Sequence, residues 1–367
     1  MRGMDTAKPS LELLRSMTDE HVLRTLMRGE RATRAEISAA TGISKPTISD
    51  SVRRLTAAGL LVDTGERTTG RGRVGSYYSL ADVGVALAVA IAPSGVTGEA
   101  VDAFGSVVAR AAVPLDRSAG EARTARALTR VVRKVAGAGV PRVAVVSAAD
   151  PVDRWTGVLV RLPDSPFLVG ELDPVAVLRP LVRGPVLVDN DVNWSARAER
   201  ASGRATDAGD FVYLHLGDGL GCAVVSDGEV RRGHQGLAGE IAHVCTAGPD
   251  GVAMPLIEVF GSLGLRHPSS TAIDAGAVRA ATPATRAVLA GAVSGALLAA
   301  VCLADPELAV IGGEWGPGLV DDIDEHLAAA PRRVPVVAAQ VTDPALTGAR
   351  DHAVESLRTA VIESLRH

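Results

Sequence analysis

Residues 211–244 read FVYLHLGDGLGCAVVSDGEVRRGHQGLAGEIAHV, and this segment says most about the architecture of the chain. It opens with an apolar, β-rich run, 211–216, which predicts a strand. A short glycine loop leads to a second predicted strand at 222–225, so the two are expected to form a hairpin. A second glycine-rich segment then runs into Glu240 and His243. Glycines let the backbone approach a ligand closely, and a carboxylate beside an imidazole offers hydrogen bonds to hydroxyl groups.

Two interpretations of this motif are available. A glycine-rich hairpin with a surface glutamate and a structural histidine would also produce it. However, the segment resembles the part of the ROK family (repressors, open reading frames and sugar kinases) in which a GTGIG loop precedes GxxGxAGEIGH. Here the second motif is GLAGEIAH, with Ala242 in place of the usual glycine. The resemblance implies an α/β, actin- or hexokinase-like (ribonuclease-H-like) fold of two lobes, and it leaves open whether the chain is a kinase or a repressor.

Length and composition are those of an ordinary globular protein with room for two or three domains. The chain has 367 residues, of which 47% are hydrophobic and 22% charged. Its charge is uneven, because residues 1–82 hold 13 Lys and Arg against 10 Asp and Glu, whereas the other residues hold 25 against 32. A basic head on an acidic body is typical of a DNA-binding module attached to another domain.

The cysteines and the apolar stretches indicate the compartment. The three cysteines form no CxxC motif, which favours a reducing cytoplasm over a disulfide scaffold. The N-terminus lacks a signal pattern, so a cytoplasmic location without a membrane partner is expected. The stretch 287–304 carries no charge and is long enough to raise the question of a membrane span. Its alanines and glycines indicate instead a buried helix that packs closely.

Three helical patterns follow a loose leader at the N-terminus. The first helix is expected to begin at a Thr18 cap. Thr33 and Glu36 form a capping box for the second, and Ser44 starts a third helix over residues 45–58. Two short helices, a tight turn and a longer helix predict a helix-turn-helix, although a three-helix bundle without DNA would share the pattern.

A wing is predicted after the third helix. Residues 60–62 and 76–80 are expected to pair as strands joined by the turn 63–75. The basic tip of this turn, residues 70–73, is expected to reach a minor groove. The start of the third helix would contact bases, and its later arginines would contact phosphates. This head resembles the winged helix of ROK family repressors, which the family's kinases lack. The residues expected to contact a double-stranded DNA operator are Arg34, Ser44, Lys45, Thr47, Ser49, Arg53, Arg54, Arg71 and Arg73.

Alternating apolar runs and alanine-rich helices from residue 83 onward predict an α/β body. Its last early strand, over 186–188, leads into Asn190 and Asp191, at the carboxyl end where open α/β sheets bind ligands. The stretch VDNDVNWSARAE resembles the family's NDxNxxAxxE segment, whose Asp takes the proton of the sugar hydroxyl in the kinases. A simple helix cap at Asn190 is the alternative. The other regular elements expected in this region are strands at 87–91, 98–101 and 143–147 and a helix at 118–138.

The ATP half of a kinase site is missing when the chain is compared with the family. Where the family has a DIGGTK phosphate loop, Ala90 replaces the metal-facing Asp, and Ala92 and Pro93 replace two glycines. Asp218 replaces a hydroxyl that would face a phosphate, and like charges repel. ATP hydrolysis is therefore not expected, and the chain is predicted to have no catalytic residues, no cofactor and no enzyme activity.

The structural zinc site of the family is missing as well. Most members place CxCGxxGC after EIGH, so that one histidine and three cysteines bind the metal. Here His243 is followed by one nearby cysteine, Cys245, and no bound metal is expected.

The sequence thus predicts a winged helix-turn-helix domain at residues 1–82 and a sugar-kinase-like, effector-sensing domain at 83–367. The expected function is transcriptional regulation, with the chain acting as a homodimer or homotetramer that represses genes of carbohydrate metabolism. Two alternatives stay open: a bifunctional ATP-dependent sugar kinase with a regulatory head, and a regulator controlled by a partner protein. The residues expected to hydrogen-bond a small sugar effector are Asn190, Asp191, Glu240, His243 and Glu258.

Overall fold

A head of three helices and a three-stranded sheet precedes two sheets of five strands each. The computed structural model describes residues 11–68, 74–117, 119–137, 139–162 and 170–366. The order of the head's sheet is β1-β3-β2, with antiparallel pairs, which confirms the winged helix-turn-helix. The head's elements are α1 (Leu11–Gly29), β1 (Arg31–Thr33), α2 (Arg34–Thr41), α3 (Lys45–Ala57), β2 (Leu61–Arg67) and β3 (Ser76–Leu80).

The turn between α2 and α3 is built by the capping residues that the sequence predicted. The Thr33 side chain accepts a hydrogen bond from the Glu36 backbone, and the Glu36 side chain accepts one from the Thr33 backbone. Gly42 follows α2 in the left-handed region, with φ of 70°, a conformation that glycine adopts without strain. The Ser44 side chain accepts from the Thr47 backbone at the start of α3. These caps fix where α2 begins and ends and where α3 begins.

The first helix begins earlier than the sequence analysis expected. α1 starts at Leu11, so the second half of the supposed leader is helical, and the cap at Thr18 was wrong. The Thr18 hydroxyl donates instead to the Leu14 carbonyl, 2.9 Å away. A threonine inside a helix commonly bonds the carbonyl one turn back, so its presence did not mark a helix start.

The wing is longer than predicted. β2 continues to Arg67, which pairs with Ser76 of β3, and the register shifts between Asp63 and Arg67. The predicted basic tip, with Arg71 and Arg73, lies outside the described residues.

The body divides into two lobes, each built on one five-stranded sheet. The order of the first sheet is β6-β5-β4-β7-β8, and that of the second is β11-β10-β9-β14-β15. The first lobe contains β4 (Ala86–Ala92), β5 (Gly95–Val101), β6 (Val107–Pro114), α4 (Glu121–Ala136), β7 (Val143–Ala148), α5 (Pro174–Leu178), β8 (Val186–Asn190) and α6 (Asp191–Ser202). The second lobe contains β9 (Phe211–Leu216), β10 (Leu220–Ser226), β11 (Glu229–Val230), β12 (Cys245–Ala247), β13 (Ala253–Pro255), α7 (Leu256–Ser262), α8 (Ala275–Arg279), α9 (Pro283–Ala304), β14 (Leu308–Gly312), α10 (Val320–Leu327) and β15 (Val336–Ala338).

A final helix, α11 (Pro344–Glu363), returns to the first lobe. It packs against β4, β7 and α6. A Cβ atom added at Gly348 would lie 2.1 Å from the Trp194 carbonyl oxygen, so α11 and α6 touch through their backbones. This close contact makes α6 and α11 one packed pair.

The first sheet is covered on both faces. Leu87, Val89 and Ile91 of β4 point into a core shared with Leu128 of α4. Ala86 and Ala88 point to the opposite face, where they join a core with α11. This alternation is what a strand's period of two predicts for a buried central strand, and it confirms the two-lobed α/β class.

The apolar stretch at 287–304 belongs to α9, a helix long and apolar enough by composition to cross a membrane. Leu289, Val293 and Leu297 lie in the core of the second lobe. The helix also packs closely against β12, because a Cβ atom at Gly295 would lie 2.4 Å from the Thr246 hydroxyl. The small residues of α9 therefore allow the close contact that the sequence indicated.

The head and the first lobe share one apolar core, which includes Leu23, Leu80 and Leu357. Arg358 of α11 donates to the Ala103 carbonyl at 2.8 Å and to the Met27 carbonyl of α1 at 3.2 Å. The helix that packs behind the sheet of the body thus also holds the head. A domain boundary between residues 82 and 83 stays a prediction.

Candidate ligand cleft and DNA-binding surface

A cavity of about 520 Å³ opens between the two lobes. Residues 92–94 line it from the first lobe, and residues 217–222 and 238–240 line it from the second. The start of α6 lies between them, with Asn190 and Asp191 in the lining. A concave site between lobes that combines apolar walls with a few polar groups is the usual form of a small-molecule site.

Two carboxylates, Asp191 and Glu240, face this cavity from different elements. Asp191 is the first residue of α6, directly after β8, and Glu240 precedes a single 3₁₀ turn, Ile241–His243. Burial raises the pKa of Asp191, an effect that His215 opposes. Burial, with the Asp191 charge close by, raises the pKa of Glu240 to about 7. Burial thus favours the protonated form of both carboxyl groups, and a hydroxyl group that donates a hydrogen bond would stabilise their ionised form.

Glycines bring Glu240 to the cavity. Gly236 has φ of 95°, and a Cβ atom there would lie 2.1 Å from the Val152 carbonyl oxygen. Gly239 has φ of 98°, and its Cβ atom would lie 1.7 Å from the Cys222 carbonyl oxygen. Any larger residue would push the loop off both neighbours. The spacing of glycines in GLAGE is therefore what seats the carboxylate.

Asn190 has the structural role that the sequence analysis held as the alternative. Its side-chain oxygen accepts from the Val192 backbone, so it caps α6. Its amide nitrogen donates to the carbonyls of Ala148 and Asp150, at 3.4 and 3.3 Å. Asn190 lines the cavity, but these bonds already use its side chain to fix the end of β8.

His243 and Glu258 differ in position. His243 lines the cavity and is exposed. Glu258 was predicted as a ligand, but it is not among the described residues that line the cavity. Its carboxylate pairs with Arg266 at 3.1 Å and is 54% exposed. It lies on the first turn of α7.

His215, Asn193 and Asp343 are among the lining residues that were not predicted from the sequence. His215 lies near the end of β9, and a Cβ atom at Gly217 would lie 2.7 Å from its Nε2 atom. A histidine in an otherwise apolar strand before a glycine loop was the available signal. Asp343 precedes α11 with φ of 46°, and no motif in its neighbourhood marked it.

The metal prediction is not tested by the structure. In the described part of the chain, no group of three His, Cys, Asp or Glu side chains is placed to hold a metal ion. Cys245 is exposed on β12.

The start of α3 forms the exposed part of the helix-turn-helix. Ser44, Lys45 and Thr47 are exposed, and Ser49 is half-buried. Arg53, which is 75% exposed, pairs with Asp50 one turn away at 2.8 Å. A base-reading helix presents its first turns in this way.

Two arginines predicted to contact DNA also have partners within the protein. Arg54 donates to Asp19 of α1 at 2.6 Å, and Ser51 donates to the same buried carboxylate at 2.5 Å. The Arg34 guanidinium donates to the Tyr78 hydroxyl at 2.6 Å and lies over the ring. The Arg54 guanidinium thus holds α3 against α1, and its contact with a phosphate stays a prediction. A phosphate contact by Arg34 would first have to break its bond to β3.

Arg53 and Arg54 form a matched pair for mutagenesis. Arg54→Ala leaves Asp19 buried with a lost charged partner, so we expect the free energy of unfolding to fall by about 2 kcal/mol. Arg53→Ala is expected to leave stability unchanged and to lower operator affinity, with the slope of log affinity against log salt reduced by about one. Urea unfolding and fluorescence anisotropy at several salt concentrations measure the two effects. Equal stability of both variants would contradict the assignment of Arg54.

Glu240→Gln is expected to change the pH dependence of stability. The folded-state pKa of Glu240, about 7, lies above its ordinary value of 4.5, so the folded state binds more protons between these values. The contribution of Glu240 to stability is therefore lost as pH rises from about 4.5 to 7. The urea midpoint of the wild type should fall relative to the variant over this window and stay parallel above it. Parallel curves throughout would show that Glu240 is not buried.

Comparisons with known proteins agree with this architecture. Residues 99–254 match the model of the ROK family, and residues 21–72 match that of the MarR family. A solved structure of a ROK family transcriptional regulator, described as a homologue of the E. coli MLC protein, superposes with a TM-score of 0.65 at 18% identity. The match covers 95% of this chain and 99% of that one, so head and body have the same fold.

Curated relatives include both kinases and repressors. The bifunctional enzyme NanE/NanK of Brucella suis is 35% identical over 182 residues, which are 46% of this chain and 34% of the enzyme. The xylose repressor of Caldicellulosiruptor bescii is 23% identical over 245 residues, 63% of this chain and 59% of the repressor. The matched part is thus about a third of the first relative and three fifths of the second.

Proposed function

Because this chain carries a ROK family domain behind a MarR-like winged helix, we propose that it is a sugar-responsive transcriptional repressor without enzyme activity. The head binds a double-stranded operator through the start of α3. The cleft binds a sugar through Asp191, Glu240 and His243. One observation carries the proposal: the chain combines a polar cleft of ligand size with an exposed recognition helix. Helix α11 links the two parts, because it begins beside the cleft and packs against α1 of the head.

The proposed mechanism is a shift between two arrangements of the lobes. A ligand changes DNA affinity only if it binds one arrangement more tightly than the other. Asp191 belongs to α6 and Glu240 to the second lobe, so a sugar bonded to both favours a particular closure of the cleft. α6 packs on α11, and α11 bonds the head through Arg358. This contiguous packing supports a coupling of sugar binding to head position.

The head is proposed to act as one of a pair in a homodimer. A single helix-turn-helix reads one half-site, and paired heads read sites about one helical turn apart. Light scattering of the purified protein measures the oligomer, and a monomer under DNA-binding conditions would contradict this part. A cytoplasmic location is also proposed, supported by three cysteines that are free in the structure.

Fluorescence anisotropy tests the proposed function. The purified protein is titrated on DNA from upstream of its own gene, with and without a panel of sugars and sugar phosphates. Tight binding that one carbohydrate releases supports the proposal. Binding that no carbohydrate alters would contradict the sensor role and favour control by a partner protein.

A sugar kinase is the second candidate, because Asp191 occupies the cleft at the end of β8. Against it stand Ala92 and Pro93 in the lining and an acidic residue, Asp218, in the glycine loop. Release of ADP with any sugar of the panel, in the presence of magnesium and ATP, would support the kinase. We expect ADP to be released no faster than in buffer without the protein.

A further inference from the structure

We propose that the cleft is a charge filter: it binds an uncharged, unphosphorylated sugar and rejects sugar phosphates, and the ion pair of Arg117 with Asp218 sets this selectivity. The inference rests on the proposed function and names the chemical class of the effector.

Every Asp, Glu, Lys or Arg side chain in the described lining of the cleft is an acidic one. No lysine or arginine is among these lining residues, and the only other titratable polar groups that could carry a positive charge are His215 and His243. The lining carboxylates are Asp191, Asp218, Glu240, Glu314 and Asp343.

Two arginines beside the cleft already pair with these carboxylates. Arg117, in the segment after β6 of the first lobe, donates to Asp218 of the second lobe at 2.6 Å. Arg279 of α8 likewise pairs with Glu314. A guanidinium already bonded to a carboxylate has less of its charge available to an incoming phosphate. Both pairs lie at the end of the cleft that is formed by the glycine loop and the segment after β14.

A sugar phosphate would add negative charge to this surface. A phosphate monoester carries between one and two negative charges near neutral pH, and carboxylates within a few ångströms repel it strongly where water is partly excluded. Sugar hydroxyls, in contrast, donate hydrogen bonds to carboxylates. The raised pKa values of Asp191 and Glu240 already reflect burial and, at Glu240, crowding of like charges. A third anion beside them would be less favourable still.

Asp218 decides the selectivity because it does two things at once. Its carboxylate places a negative charge on the glycine loop, and it binds Arg117 of the first lobe. Asp218→Asn keeps the shape of the side chain, removes the charge and frees Arg117. The cleft would then present a guanidinium, a good partner for a phosphate, in place of a carboxylate.

The filter gives the effector a place in a reaction sequence. The regulator would respond to a sugar before phosphoryl transfer, so the reaction that consumes its ligand is a phosphorylation by another enzyme. Phosphorylation of the sugar would then end the signal, because the product no longer fits the charge of the cleft.

Isothermal titration of the full-length protein tests the inference. The probes are D-glucose, D-xylose and N-acetyl-D-glucosamine, together with the 6-phosphates of glucose and N-acetylglucosamine. Xylose is used only to find a sugar that binds. We expect at least one of the other two sugars to bind at least 100-fold more tightly than its own phosphate. Asp218→Asn should reduce this ratio at least tenfold, and adding Arg117→Gln should restore most of it. Glu258→Gln, which changes a carboxylate outside the described lining, should leave the ratio unchanged.

Two outcomes would overturn the inference alone, and a third would overturn the sensor role as well. A sugar phosphate that binds more tightly than its parent sugar and releases DNA would overturn the filter and leave the repressor intact. A ratio that Asp218→Asn does not change would overturn the role of the ion pair. If no sugar or sugar phosphate binds, both the filter and the sensor role fail.

Discussion

Replacing Glu240 with alanine is expected to lower the affinity for the effector by about 10- to 100-fold while operator affinity stays the same. Hydrogen bonds to charged groups contribute about 1.5–3 kcal/mol, and 1.4 kcal/mol corresponds to a factor of ten in affinity. Glu240 lines the cleft between the lobes, whereas α3 belongs to the head. The measurement should be made at pH 8, where a carboxyl with a pKa of about 7 is mostly ionised.

Glu258→Ala is the matched control. It also removes a glutamate carboxylate from the second lobe, but this side chain is 54% exposed and paired with Arg266. Effector affinity should stay within about twofold of the wild type, since exposed ion pairs contribute little. An equal loss in both variants would mean that the ligand site lies elsewhere, and an unchanged response of Glu240→Ala would contradict the assigned cleft.

Replacing Arg350 with alanine is expected to lower the free energy of unfolding by about 3–5 kcal/mol, the range found when one partner of a buried ion pair is removed. Glu99 of β5 is only 1% exposed, and Arg350 of α11 donates to it at 2.7 Å. Without Arg350, the buried Glu99 carboxylate keeps only a more distant and more exposed arginine, Arg110, as an ion-pair partner in the described part of the chain. Urea denaturation followed by circular dichroism measures the change.

Arg110→Ala separates this effect from a simple loss of charge. Arg110 also pairs with Glu99, but at 3.5 Å and with 57% of its side chain exposed. Its removal should cost less than about 1 kcal/mol. If the two variants lose equal stability, the ion pair between β5 and α11 is not what anchors the helix.

Local patterns predicted the parts of this fold that local interactions decide. The capping box of Thr33 with Glu36 needs only four consecutive residues, and strand β9 needs only its own apolar run. The glycines of GLAGE likewise marked the loop that positions Glu240. They are needed because the backbone there has positive φ and touches neighbouring carbonyl groups. The seat could therefore be found in the sequence, although its volume and its neighbours could not.

Long-range partners decided what the sequence left unpredicted. Arg54 has the exposure pattern of a phosphate-binding residue, and only its contact with Asp19, 35 positions earlier, shows its other role. Asp343 enters the cleft from near the end of the chain, and Arg117 reaches Asp218 across 101 positions. Glu199 was noticed as part of a motif, yet its function is to accept hydrogen bonds from the backbones of Gln340 and Val341, at 2.7 Å each.

The length of α11 has a consequence for how this chain tolerates change. The helix begins beside Asp343 in the cleft and reaches the head at Arg358, and a helix of 20 residues spans about 30 Å. Each residue added to or removed from its middle would rotate everything beyond that point by about 100°. Arg358 would then face away from α1 even though every side chain of both sites was intact. The number of residues in α11, as much as their identity, is therefore constrained.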